Sequence, residues 1–142
     1  MRLDSGFWAV AGSPTAGLLP AARLTIYEGS EAEGPMLYEL REYYTEPGLM
    51  YKLHARFRNH TLAIWDRLGI EVVGFWEELV GNNQRLTYII RFDDMADREA
   101  KWGAFITDPE WLRVKAETEA DGQFVSWVEN RLMRPTDYSP LS

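Results

Sequence analysis

The sequence predicts an α+β fold: an antiparallel four-stranded sheet with helices on one face. Three observations predict it. Residues 47–69, PGLMYKLHARFRNHTLAIWDRLG, carry one sharp apolar stripe at helical spacing. Four shorter runs alternate or concentrate β-branched and aromatic residues, as strands do. The elements follow in the order β-α-β-β-α-β, and a helix with one apolar face needs a sheet or another helix to cover it.

Residues 1–35 stand apart. Gly, Ala, Ser and Pro dominate, and no period persists. There is no basic region followed by a sustained apolar run, so the segment is a poor signal peptide. It reads as an irregular leader or arm, and Met36 immediately precedes the first ordered pattern.

Residues 36–44, MLYELREYY, read as the first strand, with Leu37, Glu39, Arg41 and Tyr43 on one face and Tyr38, Leu40 and Glu42 on the other. The long helix follows. Leu49, Leu53, Phe57, Ile64 and Leu68 fall within an arc of about 100°. His60 lies inside that arc, where a Leu is expected. Thr45 and Pro47 supply start chemistry, and Gly69 can take a left-handed stop.

Residues 70–80, IEVVGFWEELV, read as the second strand, with Gly74 marking a bulge or a close approach. Gly81-Asn82-Asn83 is a turn signal, and residues 84–92 complete a hairpin. Asp93-Asp94 can cap a helix over 95–106 whose buried side is Met95, Trp102, Phe105 and Ile106. Asp108-Pro109-Glu110-Trp111 restarts a helix to about residue 120: Asp as cap, Pro at the first position, an acid near the positive end. Trp111 is expected to pack against the strand edge. Residues 124–133 are the last strand, and 135–142 an irregular tail. This order is the ferredoxin-like βαββαβ, with a domain spanning 36–134.

Composition narrows function. The formal net charge is −7, and the basic residues are 12 Arg and 3 Lys, scattered along the chain. Nucleic acid and anionic membranes are therefore not expected partners, and no stretch is long or apolar enough to span a membrane. Cysteine is absent, which excludes disulfides, Cys-zinc sites, iron–sulfur clusters and thiol catalysis. The two histidines, His54 and His60, sit about 240° apart on one helix and cannot share an ion, so no metal is expected. No GxxxxGK[ST], GxGxxG or GxSxG motif occurs, so no nucleotide or serine-nucleophile site is read, and no cofactor is expected.

The chain has 6 Trp, 7 Tyr and 6 Phe. Strand residues alternate faces, so Tyr38 or Tyr43, Trp76, Tyr88 and Trp127 cannot all lie under helices. An aromatic open face is usually covered by a second copy of the sheet, which makes a homodimer the expected assembly.

The run Tyr38-Glu39-Leu40-Arg41-Glu42-Tyr43 followed by Pro47-Gly48, then His60, Gly69, Gly74 and Trp76, and finally Asp108-Pro109-Glu110-Trp111 after a helix containing Arg98, resembles the NIPSNAP family. The resemblance covers about residues 36–134. It implies a dimeric α+β barrel, similar to small monooxygenases and isomerases of that superfamily, and implies no settled reaction. Eukaryotic relatives carry mitochondrial targeting and repeated domains. Neither is seen here, so the expectation is a stand-alone, cytoplasmic, bacterial protein.

Two functional readings stand at this level. One is a homodimer that binds a small apolar or aromatic molecule between helix and sheet. Its binding residues are Glu39, Trp76, Tyr88 and Trp102. The other is a cofactor-independent monooxygenase or isomerase at the same pocket. There His60 moves protons, and Arg41 with Tyr43 stabilises charge. Glu39 and Arg41, on one strand face, read either as a polar pocket wall or as a buried ion pair that fixes register.

Overall fold

A computed structural model describes residues 36–141. The expected leader over 1–35 lies outside the described residues. Four strands, β1 (Leu37–Thr45), β2 (Glu71–Glu77), β3 (Arg85–Phe92) and β4 (Val125–Met133), form one antiparallel sheet in the order β2-β3-β1-β4. This is the ferredoxin-like arrangement. The helices lie on one face, which carries Glu39, Arg41 and Tyr43 of β1 and Leu86, Tyr88, Ile90 and Phe92 of β3. The alternation read from the sequence holds, because one side of β1 and β3 is sealed and a one-residue slip would expose it.

The long helix is the main departure from expectation. It is not one regular α-helix. α1 (Met50–Arg56) runs into a π-helical turn (Phe57–Thr61), which runs into α2 (Leu62–Leu68). A π turn accommodates one extra residue, so the apolar stripe changes phase. After Phe57, the buried positions are Thr61, Ile64 and Trp65. The Thr61 hydroxyl donates to the Arg56 carbonyl at 3.3 Å inside the widened turn. His60 turns out of the stripe and Arg56 turns in. Arg56 is 5% exposed, pairs with Glu119 at 2.8 Å and lies over the Phe124 ring.

Three helix ends follow their sequence chemistry, but the start of α1 does not: its N-cap is Leu49 with no side-chain cap, not Thr45 or Pro47. Gly69 has φ of +73°, and the Ile70 N–H reaches the Trp65 carbonyl while the Gly69 N–H reaches that of Asp66. That is a Schellman closure, which a left-handed glycine permits. Asp94 caps α3 (Met95–Ile106) through the Asp97 N–H, and Asp108 caps α4 (Pro109–Thr118) through the Trp111 N–H, with Pro109 at the first position. The face of α3 differs from expectation. Phe105 is buried, but Met95 and Ile106 are exposed. α3 approaches the sheet through the side of Arg98, Trp102 and Phe105, spaced i, i+4, i+7. Trp111 packs on Phe105 and under Arg56 rather than on a strand edge.

In β2 the register shifts between Val72 and Gly74. A Cβ on Gly74 would stand 2.8 Å from the Trp76 ring. The expected bulge and the expected close approach are thus the same feature. The core joins Leu53, Phe57, Ile64 and Trp65 of the helical run to Tyr88, Ile90, Phe92, Phe105 and Phe124.

The face away from the helices is mixed. Tyr44 stacks on Trp127 at 4.4 Å, and Trp127 is half exposed. Across this face Glu42 pairs with Arg85 and Arg131, and Arg85 with Glu78. Residues 134–141 carry no helix or strand, and part of this segment lies beside Tyr38 and Ile89.

Candidate functional site

Five of the seven residues singled out from the sequence come together. Glu39, at 0% exposure, is the hub. Its Oε1 accepts from Arg41 Nη1 at 2.6 Å, Asn130 Nδ2 at 2.8 Å and Arg98 Nη2 at 3.2 Å, and its Oε2 accepts from Arg98 Nε at 2.9 Å. Arg41 Nε donates to the Tyr88 hydroxyl at 2.9 Å. The Arg41 guanidinium lies 4.3 Å from the centre of the Trp102 ring and 5.6 Å from that of Tyr43. Strand pairing explains the assembly: Arg41 stands opposite Tyr88 in β3 and Asn130 in β4, while α3 lowers Arg98 and Trp102 onto β1.

The electrostatics follow from burial. Burial pushes the Glu39 carboxyl up, but the bonds from Arg98, Asn130 and Arg41 outweigh it and hold the group below its ordinary value. Burial pushes Tyr88 well above the usual phenol range. The neighbouring Tyr43 adds to the rise, and Arg41 opposes it. Tyr88 is therefore a neutral phenol at pH 7.

A second constellation lies on the same face, toward β2. A cleft of about 260 Å³ opens between α1, the π turn and strands β2 and β3. Phe57, Leu62, Phe75 and Leu86 make its apolar walls; His54, Arg58, Trp76 and Glu77 also line it. His54 Nε2 lies 2.7 Å from Glu77 Oε1. The Phe57 and Phe75 rings pack on Tyr88 with centroids 5.4 and 5.1 Å away, and so form an aromatic layer between the cleft and the Arg41 network. The π turn supplies part of the wall, as such turns often do at ligand sites.

His60 is corrected. It does not face the sheet. It is half-buried in an outer groove with Lys52, Asn59, Thr118 and Asp121, between the long helical run and the end of α4. The phase change at the π turn is the reason. The histidine at a helix–sheet cleft is His54. Trp76 does line that cleft, but it is half exposed and pairs with Thr87 on the open-face register.

Sequence reading missed three residues. Arg98 shares the α3 face of Trp102 and Phe105, so a charge on an apolar stripe was the signal. Asn130 sits between Val128 and Leu132 on one strand face and carries the same signal. His54 had none, because it borders the stripe instead of interrupting it.

Sheet order and helix placement define a ferredoxin-like α+β domain, with a cleft between the helical run and the sheet. The NIPSNAP family model matches residues 38–140, and the chain belongs to that family. A NIPSNAP family protein from Agrobacterium tumefaciens superposes with a TM-score of 0.68 at 23% identity, covering 75% of this chain and 99% of that one. A second NIPSNAP family protein of unknown function from the same organism gives 0.65 at 25%, covering 80% and 97%. SnoaB, a cofactor-independent oxygenase from Streptomyces nogalater, shares the fold at a TM-score of 0.52 and 12% identity, covering 75% and 99%. No curated protein sequence matches. Among the described residues no helix is long and apolar enough to cross a membrane.

Proposed function

We propose that the protein is a homodimer that binds a small apolar or aromatic molecule in the cleft between the π turn and strands β2 and β3. The observation that carries the reading is the lining: four apolar walls converge beside one histidine–carboxylate pair 2.7 Å apart. Apolar walls with a few placed polar groups are the usual composition of a small-molecule site. The volume, about 260 Å³, lies just under the range common for drug-sized ligands, which points to one or two rings. The dimer is supported by the exposed Trp127 and its stack on Tyr44, on the face that no helix covers.

The test uses 1-naphthol as a probe. Titration followed by the indole N–H signals in a nitrogen–proton NMR spectrum should shift Trp76 and leave Trp127 in place. Leu62→Trp, which fills the cleft from its rim, should abolish the shift while the protein stays folded. Saturable binding unaffected by Leu62→Trp would place the ligand elsewhere.

Catalysis in the same cleft is a second reading, favoured by the His54–Glu77 pair. An imidazole oriented by a carboxylate through one ring nitrogen presents the other as a proton acceptor. The role first read into His60 then belongs to His54. Proton removal is an early step open to both cofactor-independent oxygenation and isomerisation. The check is exchange of the C2 and C4 hydrogens of 1-naphthol in D2O, in which a base removes the hydroxyl proton, the naphtholate takes up deuterium at the ring carbon, and the displaced hydrogen leaves as a proton. Wild type should accelerate it and His54→Gln should not; no acceleration by wild type leaves binding alone.

A further inference from the structure

We propose that Arg41 is the anchor of a second site, distinct from the cleft, that takes a small organic carboxylate beneath Trp102. Glu39 and Arg41 look at first like a closed ion pair, but their hydrogen-bonding capacities differ. Glu39 is saturated: its two oxygens accept from Arg41, Asn130 and, twice, Arg98. A guanidinium carries five N–H donors. Among the described residues, Arg41 places one on Tyr88 through Nε and one on Glu39 through Nη1. The second N–H of Nη1 and both of Nη2 have no protein acceptor there.

Nη2 is also not sealed. Among the described residues, the one side-chain nitrogen or oxygen both shut from solvent and unpartnered is Trp65 Nε1. Arg41 itself is only 9% exposed. Its free donors are therefore largely, though not wholly, shielded from bulk solvent. The charge is unbalanced as well. Two guanidiniums, Arg41 and Arg98, share one carboxylate, and Tyr88, held as a neutral phenol by burial, lends no negative charge. A nine-tenths-buried cation with a surplus of positive charge and unspent donors is an anion site. It stands out further in a chain of net charge −7, which otherwise repels anions.

The neighbours restrict the ligand. Trp102, 4.3 Å from the guanidinium, and Tyr43, at 5.6 Å, set aromatic rings beside it. A flat carboxylate such as benzoate could lay its ring against them while its oxygens met Nη1 and Nη2. Access is from the β4 edge, where Val128 and Asn130 are exposed on the helix side of the sheet.

Benzoate is the probe, with benzamide as its neutral isostere, at constant ionic strength. Benzoate should raise the melting temperature of wild type in a concentration-dependent way, as any ligand of the native state does, and benzamide should not. Arg41→Gln should abolish the benzoate effect. Glu39 keeps Arg98 and Asn130 in that variant. Should Arg41→Gln fail to fold, the wild type still decides. Benzoate should move the indole N–H signal of Trp102, assigned through Trp102→Phe, and leave Trp76 in the cleft unmoved. Equal stabilisation by benzamide, an undiminished benzoate effect in Arg41→Gln, or a shift at Trp76 without one at Trp102 would each overturn the proposal. Because the cleft is probed by 1-naphthol through Trp76, either site can fail without the other.

Discussion

Replacing Glu39 by Gln tests the buried network that ties three strands and a helix together. The substitution keeps size and one acceptor but removes the charge. The new side chain would present an amide N–H₂ where one carboxylate oxygen now accepts, so at least one donor would face another donor. Two guanidiniums, with side chains only 10% and 18% exposed, would lose the one carboxylate that pairs with both. Removing one partner of a buried ion pair costs about 3–5 kcal/mol, because the other charge stays buried. The retained amide oxygen, and the freedom of Arg98 to turn toward solvent, place the expectation near the lower end, about 3 kcal/mol at pH 7. For a domain of this size that lowers the melting temperature by about 15 °C.

The pH dependence has a definite sign. Glu39 has a depressed carboxyl pKa in the folded state. Its stabilisation is therefore fully present above its unfolded pKa, about 4.3, and is lost as pH falls through the folded value. The gap between wild type and Glu39→Gln should be constant from about pH 8 to about pH 5 and narrow below about 4.3. Urea denaturation at fixed salt measures both, since urea leaves ion pairs unscreened. A gap under about 1 kcal/mol at pH 7, the size of an exposed surface pair, or one that does not change with pH, would refute the reasoning.

Three further outcomes follow. His60→Ala should change stability by less than about 0.5 kcal/mol in urea, the norm for a surface position, and leave 1-naphthol binding unchanged; loss of binding would return His60 to the site. Trp127→Asp should convert the proposed homodimer to monomer in sedimentation at micromolar concentration, because it sets a charge in the uncovered aromatic stack; a wild type already monomeric there would defeat the dimer. A chain beginning at Met36 should keep its cooperative melt, and a loss of several kcal/mol would mean that residues 1–35 belong to the core.

The sheet was legible in the sequence because its constraints are local and repeated. Period-two alternation in residues 36–44 and 84–92, the Asp94 and Asp108 caps and the Gly69 stop each specify their geometry within a few residues. The network around Glu39 was half legible. A Glu and an Arg two apart on a strand must share a face, but their partners Arg98 and Asn130 come from 59 and 91 positions away. The π turn was not legible at all. Phe57 to Thr61 carries no glycine, proline or other breaker, and an α-helical phase fits its residue types equally well. What selects the wider turn is packing: it brings Thr61 and Trp65 inward and seats Arg56 on Phe124. Reading the helix as regular therefore placed the wrong histidine at the sheet, and one added residue of phase corrects it.

The most direct test of the account is a crystal structure of the protein soaked with 1-naphthol. An ordered ring system is expected between Phe57, Leu62, Phe75 and Leu86, with its hydroxyl within hydrogen-bond reach of His54 or Glu77. A cleft filled by protein side chains, with 1-naphthol bound only beside His60 or on the open face of the sheet, would contradict it.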